Sequence, residues 1–347
     1  MLSESLDRTE LESLGEFGLI EHLTKNIELH QKSSIKGVGD DAAVVDAGDH
    51  YKLVSTDMLM EGIHFDLSYV PLKHLGYKAV TVNLSDIYAM NGKPEQITVS
   101  VAVSNRFSVE ALDEFYEGVY LACEAYQVDL VGGDTSASIT GMCISVTAIG
   151  TVGKEDVVYR SGAQENDLIC VSGDLGAAYA GLQLLEREKK IFQEDSNVQP
   201  DLEGKDYVLE RQLKPEARKI VIDLLKEKKV RPTSMIDVSD GLASELLHIS
   251  RQSDCGTAVY EEKLPIDAAT LNALEELGLD STIAAINGGE DYELLFTVPQ
   301  KDFEAVRSIE GISIIGHITP KTSGNNLVGL GDSLIELKAQ GWNAFKG

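Results

Sequence analysis

The stretch Gly37-Val38-Gly39-Asp40-Asp41-Ala42-Ala43-Val44-Val45 places two adjacent carboxylates between glycines and a short apolar run. Glycine lets a backbone turn tightly or approach a ligand closely, and the run from Ala42 to Val45 has the composition of a strand. Gly-Asp-Asp by itself is ordinary turn chemistry. The stretch alone therefore predicts only a turn that leads into a strand.

Acidic residues recur in comparable settings further along the chain. Most of these settings follow or interrupt apolar residues, where an unpaired aspartate would be costly. They are Ser55-Thr56-Asp57, Asn83-Leu84-Ser85-Asp86, Gly132-Gly133-Asp134 and Asp237-Val238-Ser239-Asp240-Gly241. Because such places recur throughout one chain, we interpret them as the walls of a single metal site.

The composition limits what such a site can bind. The chain has 347 residues, of which 43% are hydrophobic, enough for two domains that each bury a core. Its net charge of -27 makes nucleic acid and anionic membranes unfavourable partners. A polyphosphate could enter an aspartate cluster only together with several divalent cations, and Mg²⁺ prefers carboxylates, water and substrate phosphates.

The sequence predicts a cytoplasmic protein. Residues 1–16 are acidic and lack the basic and apolar regions of a signal peptide. No apolar run approaches the length of a membrane span. The four cysteines, at positions 123, 143, 170 and 255, are widely spaced, which indicates buried thiols rather than a zinc motif or a disulfide framework.

Hydrophobic periodicity and turn residues predict helices and strands in both halves of the chain, an α/β (α+β) pattern. In the first half, the predicted helices cover 15–25, 72–90 and 108–126, and the strands cover 42–45, 51–55, 96–103, 129–131 and 142–152. In the second half, the helices cover 177–187, 215–229 and 242–253, and the strands cover 168–171, 234–238, 284–287, 293–298 and 312–315. The charged stretch 188–205 is predicted to be an exposed loop, and the C-terminal segment to be loosely structured.

Three further features each allow two interpretations. His64 is either a functional residue or a loop histidine with a structural partner. Arg160 lies two residues before Gly162 in an acid-rich chain, where it either binds a ligand or forms a surface salt bridge. The strand that runs into Gly132-Gly133-Asp134 fits backbone amides that approach a phosphate, with Asp134 on a cation, although a tight turn would have the same sequence.

Nine motifs, taken in order, resemble those of the thiamine-monophosphate kinases, and the resemblance covers about residues 15–342. Each motif alone is weak, but nine in order with near-family spacing are specific. Tyr88 and Asn91 depart from the smaller residues usual in that family, and 188–208 is variable territory. The motifs are Gly-Glu-Phe-Gly-Leu-Ile (15–20), Gly-Asp-Asp-Ala-Ala (39–43), Ser-Thr-Asp (55–57), Gly-Ile-His-Phe (62–65), Asn-Leu-Ser-Asp-Ile (83–87), Gly-Gly-Asp-Thr (132–135), Arg-Ser-Gly-Ala (160–163), Asp-Val-Ser-Asp-Gly-Leu (237–242) and Gly-Gly-Glu-Asp-Tyr-Glu-Leu (288–294).

The resemblance implies a two-domain PurM-like fold of the aminoimidazole-ribonucleotide-synthetase superfamily. Residues 1–153 would form an N-terminal α/β domain that binds ATP and Mg²⁺ and pairs with its twin in a homodimer. Residues 154–347 would form a second α/β domain that completes the active-site cleft. The implied activity is phosphorylation of thiamine monophosphate by ATP, which gives thiamine diphosphate and ADP by direct in-line transfer. Such a transfer depends on positioning and charge neutralisation, which agrees with the aspartate-rich pattern.

Matching positions also imply the roles of individual residues. Asp57, Asp86 and Asp240 would be catalytic. Trp342 would contact substrate, although it could instead cover a domain edge, and whether Asp40 binds metal or shapes the turn stays open. The implied Mg²⁺ ligands are Asp41, Ser55, Thr56, Asp57, Asp86, Asp134, Asp237 and Asp240; the ATP contacts are Gly133, Asp134, Arg160 and Ser239; and the substrate contacts are His64, Glu290 and Trp342.

Other classes stand as alternatives to the kinase. A selenophosphate-synthetase-like enzyme would need a reactive cysteine in a Gly-rich N-terminal region, and no cysteine precedes Cys123. A hydrogenase-maturation relative would be expected to end in cysteine, where this sequence has Gly347. A non-enzymatic nucleotide- or metal-binding regulator would not need both the ATP-type and the substrate-type positions, and both sets are present. The sequence therefore favours the kinase.

Overall fold

One six-stranded sheet organises the first half of the chain. The computed structural model describes residues 11–340. The strands are β1 (Ser34–Lys36), β2 (Ala43–Asp46), β3 (His50–Met60), β4 (Lys93–Val103), β5 (Asp129–Ala137) and β6 (Cys143–Gly153). They lie in the order β1-β2-β3-β6-β4-β5; the pair β4–β5 is parallel and the other pairs are antiparallel. The helices of this half are α1 (Gly15–Thr24), α2 (Leu72–Ala89) and α3 (Val109–Tyr126).

Alternating burial shows how the first sheet packs. In β6, the side chains of Ile144, Val146 and Ala148 are buried, whereas the residues between them are more exposed. Alternation of this kind places one face of a strand on the core and leaves the other face open. The buried face packs against α2, which in turn packs against α3.

A seven-stranded sheet organises the second half. Its strands are β7 (Leu168–Ser172), β8 (Ser234–Asp237), β9 (Gly256–Tyr260), β10 (Leu294–Val298), β11 (Ile312–Thr319), β12 (Asn325–Val328) and β13 (Leu334–Glu336). They lie in the order β13-β12-β9-β11-β7-β10-β8; the pair β9–β12 is parallel and the other pairs are antiparallel. The helices of this half are α4 (Ala177–Glu194), α5 (Asp206–Leu213), α6 (Lys219–Glu227), α7 (Leu242–Ser253), α8 (Ala268–Leu277), α9 (Ser281–Asn287) and α10 (Phe303–Arg307). Short 3-10 helices occupy Leu11–Ser13, Glu261–Lys263, Gln300–Asp302, Lys321–Ser323 and Leu330–Asp332.

Helix α2 joins the two halves. Leu75, Leu84 and Ile87 are fully buried, and they belong to one hydrophobic core with Met235 of β8 and Phe296 of β10. A helix that is buried on nearly all sides belongs to the interior of a protein rather than to its surface. Side chains on α2 can therefore reach groups from both halves. The predicted α/β (α+β) class is confirmed, and none of the helices within residues 11–340 is long and apolar enough to cross a membrane.

Two of the predicted elements differ in type from the structure, the first of them only in part. The stretch 188–205 was expected to be a loop, which is confirmed for 195–205, but α4 continues to Glu194 because Leu184, Leu185 and Glu188 keep one face of the helix buried. The stretch 284–287 was expected to be a strand, but it belongs to α9, whose start is capped by the Asp280 side chain. In both cases tertiary packing or a cap outweighs local composition.

Other predictions are wrong in their bounds. The helix expected from Pro215 starts only at Lys219. The C-terminal segment, expected to be loose, contributes β12 and β13 to the second sheet. The sequence Gly132-Gly133-Asp134 is not a turn, because β5 runs through it to Ala137. A Cβ on Gly133 would clash with the backbone carbonyl of Val99 on β4, so close strand pairing already requires a glycine there.

Candidate active site

Three carboxylates meet where the first half of the chain packs on the second. Asp41 comes from the Gly-Asp-Asp turn, Asp86 from the end of α2 and Asp237 from the end of β8. One carboxylate oxygen of each lies within 4.8 Å of the others. We call these three residues the acid cluster. Hard cations such as Mg²⁺ take oxygen ligands of this kind.

Hydroxyl groups hold the acid cluster in place. The Ser85 hydroxyl donates a hydrogen bond of 2.6 Å to the Asp237 carboxylate, which links α2 to β8 across the two halves. The Ser55 hydroxyl on β3 donates to the Asp86 carboxylate. Ser85 of α2 therefore donates a hydrogen bond to the acid cluster, and its neighbour Asp86 contributes a carboxylate to it.

Strand β3 presents Asp57 beside the acid cluster. The predicted strand ended near this residue, but β3 continues to Met60, so Asp57 lies inside an extended backbone. Its N–H donates to the Asn83 side-chain carbonyl at 2.9 Å. Because side chains alternate along a strand, Ser55 and Asp57 share one face and Thr56 points to the other. The Thr56 hydroxyl donates to the Val146 carbonyl at 3.0 Å, and the structure does not bring this side chain to the acid cluster.

Arg160 is not half of a surface salt bridge. Its side chain is only 20% exposed, and its guanidinium lies 2.8 Å from Asp41 Oδ1. The second oxygen, Asp41 Oδ2, is buried and has no hydrogen-bond partner within residues 11–340. Asp40 accepts hydrogen bonds from the Arg160 N–H at 3.1 Å and from the Lys36 ammonium. Asp40 thus connects the turn to the Arg160 backbone and to Lys36.

Electrostatics in the cluster disfavour ionised carboxylates. Burial raises the pKa of Asp41 to about 7, with Arg160 opposing the change and Asp237 adding to it. Burial likewise raises the pKa of Asp237 to about 6. Burial and repulsion from Asp41 raise the pKa of Asp57 to about 6, and burial with repulsion from Asp57 holds the pKa of Asp86 well above its usual range. Bound cations would favour the ionised forms, so the donor set and the unpartnered Asp41 oxygen fit a cation site.

Glu245 is a site residue that the motifs did not mark. Its buried carboxylate accepts a hydrogen bond of 2.9 Å from the Asp240 N–H. Burial and the neighbouring Asp240 raise the pKa of Glu245 well above its usual range. The signal was available in the sequence, since an acid in the first turn of a helix often reaches back to the N–H groups before it. Here the helix is α7, which starts at Leu242.

Glu290 lies next to the segment that ends in Asp240. Its N–H donates to the Ser239 carbonyl at 2.7 Å. Its carboxylate is 3.1 Å from the Lys78 ammonium and accepts a hydrogen bond of 2.9 Å from the Gln212 amide. Neither Lys78 nor Gln212 was predicted, although a lysine within the apolar part of α2 was a visible exception to its pattern.

The remaining predicted residues lie apart from the acid cluster. His64 sits in the turn after β3, where its Nδ1 accepts a hydrogen bond of 3.0 Å from the Met60 N–H, so it has the structural partner that one interpretation expected. Gly133 and Asp134 lie on β5, which is separated from β3 by β6 and β4. Three strand spacings correspond to about 14 Å. Trp342 lies outside the described residues.

Family models identify the class of protein that this fold and site define. The model described as AIR synthase related protein, N-terminal domain, matches residues 39–152. The corresponding C-terminal domain model matches residues 148–328. The predicted PurM-like fold is confirmed by these matches, and the chain is an AIR synthase related protein.

Individual relatives narrow the class to one family. The chain is 34% identical over 339 residues to the thiamine-monophosphate kinase of Bacillus subtilis (strain 168), a match that covers 96% of this chain and 100% of that protein. It is 36% identical over 291 residues to the thiamine-monophosphate kinase of Aquifex aeolicus (strain VF5), covering 84% and 88%. The chain belongs to the thiamine-monophosphate kinase family.

Solved structures agree with this assignment. The structure described as AaThiL complexed with AMPPCP and TMP has a TM-score of 0.81 and 33% sequence identity, covering 97% of this chain and 99% of that one. A hydrogenase maturation protein, HypE in complex with ATP, has a TM-score of 0.68 at 18% identity. At that identity the likeness extends to the fold alone.

Proposed function

We propose that this protein transfers the γ-phosphoryl group of ATP to thiamine monophosphate, which gives thiamine diphosphate and ADP. The observation that carries the proposal is the acid cluster, in which the buried carboxylates of Asp41 and Asp237 meet that of the half-buried Asp86, and Asp41 Oδ2 has no hydrogen-bond partner among the described residues. Such a site is suited to cations that accompany phosphates. The identity of the substrates comes from the relatives, which are named thiamine-monophosphate kinases, and from a related structure that holds AMPPCP and TMP.

Several Mg²⁺ ions would be held by the acid cluster, together with Ser55, Asp57 and Asp240. When bound, these cations would neutralise the negative charge that the two phosphorylated substrates bring together. The protein's own part is to fix the ligands before the substrates arrive. Ser85 and Ser55 hold Asp237 and Asp86 through hydrogen bonds, so little reorganisation remains for the moment of transfer.

The attacking group needs no general base. A phosphate monoester has a second pKa near about 6, so the attacking oxygen of thiamine monophosphate is largely ionised at neutral pH. It attacks the γ-phosphorus in line, the bond to the bridging oxygen breaks, and ADP leaves. We therefore assign Asp57, Asp86 and Asp240 an electrostatic role rather than proton abstraction. Arg160, held by Asp41, and Ser239 would contact the nucleotide.

We also propose a homodimer through the first sheet. The face of this sheet opposite α2 carries Met58, a residue that is 56% exposed, and Met60. Exposed apolar side chains on a sheet face favour an interaction surface. The strand register places Asp134 in one row with Ser100, Ser145 and Met58, on this same face. The proposed contacts of Asp134 and Thr56 with ATP and its cations would then be made at the dimer interface.

The two sheets support the proposed division at 1–153 and 154–347, since β6 ends at Gly153 and β7 starts only at Leu168. The first part would bind ATP and Mg²⁺ and dimerise, and the second would complete the cleft. We place the reaction in the cytoplasm, in keeping with an ATP-consuming step of cofactor biosynthesis.

Product analysis tests the function directly. The protein is incubated with ATP, Mg²⁺ and thiamine monophosphate, and the products are separated by chromatography. We expect one thiamine diphosphate for each ADP. Consumption of ATP without formation of thiamine diphosphate would overturn the proposal. Thiamine and an unrelated phosphate monoester serve as alternative acceptors in parallel reactions.

A further inference from the structure

We propose that Lys78 and Gln212 are positioning residues for Glu290, and that the three together select a substrate ring that carries an amino group. The inference deepens the proposed function and rests on it, because it concerns how the same site recognises thiamine monophosphate.

Each oxygen of the Glu290 carboxylate already has one donor. Lys78 Nζ lies 3.1 Å from Glu290 Oε1, and Gln212 Nε2 donates to Glu290 Oε2 at 2.9 Å. Lys78 also donates to the Gln212 backbone carbonyl at 3.2 Å, so the two supporting residues are linked to each other. Because a carboxylate has about four lone-pair sites, Glu290 can still accept hydrogen bonds from a ligand.

Glu290 is more exposed than Lys78 and Gln212, so it is the one of the three that can contact a ligand. The Glu290 side chain is 28% exposed, whereas the Lys78 side chain is 4% exposed. Gln212 is buried as well. A buried ammonium needs a partner of opposite charge, and Glu290 supplies it. The arrangement therefore leaves one carboxylate accessible to a ligand and covers the groups that fix it.

The backbone holds Glu290 from the other side. Its φ is +57°, and that of Tyr292 is +51°. Residues with side chains adopt this left-handed conformation at a cost, and it persists only where the surroundings enforce it. Here the Glu290 N–H donates to the Ser239 carbonyl and the Tyr292 N–H donates to the Val238 carbonyl at 2.8 Å. Glu290 is thus held both at its backbone N–H and at its carboxylate.

The acceptor groups at Glu290 favour a ligand with an amino group over one with a carbonyl. The Gln212 amide nitrogen must face Glu290, since two acceptor oxygens would repel each other. The other end of that amide, Gln212 Oε1, is buried and has no hydrogen-bond partner in the part of the chain that the structure describes, so it adds an acceptor, and no donor, behind Glu290. The aminopyrimidine ring of thiamine carries an exocyclic amino group, which donates. A ring carbonyl in the same place would face an acceptor, so the hydrogen bond that the amino group donates would be lost.

Helix α2 also sets the distance between ring and phosphate. Lys78 and Asp86 are eight residues apart on this buried helix, which corresponds to about 12 Å along its axis. Lys78 fixes the ring-binding carboxylate, and Asp86 belongs to the acid cluster. The helix therefore holds the two ends of an elongated substrate at separate points, with the ring at one and the phosphate at the other.

The test compares thiamine monophosphate with oxythiamine monophosphate, in which a ring carbonyl replaces the exocyclic amino group. We expect the wild-type protein to prefer the amino substrate by at least about 100-fold in kcat/KM. In Lys78→Met this preference falls below about 10-fold, mainly through a higher KM for thiamine monophosphate, while the KM for ATP is unchanged. Lys52→Met is the matched control, because Lys52 also loses an ion pair, with Glu95 at 2.8 Å, but lies outside the site. The control keeps the full preference.

A second variant covers the case in which Lys78→Met does not fold. Gln212→Leu keeps the pair of Lys78 and Glu290 and removes both polar atoms of the amide, so the preference is again expected to fall about tenfold. Full wild-type preference in either folded variant would overturn the inference for that residue. Loss of thermal stability with an unchanged preference would mark a merely structural role. A wild-type protein that makes no thiamine diphosphate would instead refute the proposed function, so the two failures are distinguishable.

Discussion

Replacing Asp57 by Asn should stabilise the metal-free protein while it abolishes most of the activity. Burial and repulsion from Asp41 raise the pKa of Asp57 from 3.8 to about 6. The folded protein therefore holds this proton more tightly than the unfolded chain does. The contribution of Asp57 to stability is fully present below pH 3.8, where the carboxyl is protonated in both states, and it is lost as the pH rises through about 6. A shift of roughly two pKa units corresponds to about 3 kcal/mol of destabilisation at pH 8, as an upper limit.

The substitution Asp57→Asn keeps the shape of the side chain and removes the charge. In excess chelator at pH 8, we expect the free energy of unfolding to be about 1–3 kcal/mol higher than that of the wild type. The gain shrinks towards pH 4.5, where the wild-type carboxyl is also neutral. With Mg²⁺ and both substrates, kcat falls by at least about 100-fold, because Asp57 is a proposed ligand of the cations that balance the charge of the transferring group.

Urea denaturation in chelator at pH 4.5 and pH 8, together with a kinase assay, measures both effects. Asp113→Asn on the exposed side of α3 is the control, and it should change neither quantity. A variant at position 57 that is less stable than the wild type at pH 8 in chelator would refute the electrostatic reasoning. Retention of full kcat would refute the assigned role.

Three other perturbations test separate parts of the account. Mg²⁺ should raise the melting temperature more at pH 8 than at pH 5.5, because cations compete with the protons that burial holds on Asp41, whose pKa is about 7, and on Asp237; an increment that does not depend on pH would contradict this. Met58→Asp should convert the dimer into monomers in sedimentation, since a charge on the exposed sheet face opposes burial of that face; a wild type that is monomeric at micromolar concentration and fully active would disprove the dimer. Trp342→Ala should raise the KM for thiamine monophosphate about 5- to 150-fold if an aromatic stack worth about 1–3 kcal/mol is lost, by analogy with base stacking, with little change in the KM for ATP. If that variant only lowers the melting temperature, the tryptophan is structural.

The sequence predicted the acids of the site better than their surroundings. Asp41, Asp86 and Asp237 belong to motifs whose residue types predict cation binding, and the fold brings the three carboxylates together. The partner of Arg160 could not be read from the sequence, because Asp41 is 119 positions away along the chain. Only the packing of the two halves decides that this arginine is internal.

Residues that act through tertiary contacts were the ones missed. Lys78 and Gln212 belong to none of the motifs. The proposed role of each depends on its contact with Glu290, which lies in a distant part of the chain. Gly133 illustrates the opposite case. Its glycine suggested a phosphate contact, yet the close approach of Val99 on β4 accounts for it as well. A pattern of residue types marks chemistry more reliably than it marks geometry, since geometry depends on contacts far apart in sequence.

The most direct test of the account measures nucleotide binding with and without divalent cations. The acid cluster should admit a polyphosphate only when cations neutralise it. Calorimetric titration of the protein with AMPPCP in Mg²⁺ should give saturable binding, and the same titration in excess chelator should give none. Undiminished binding of AMPPCP in excess chelator would contradict the account.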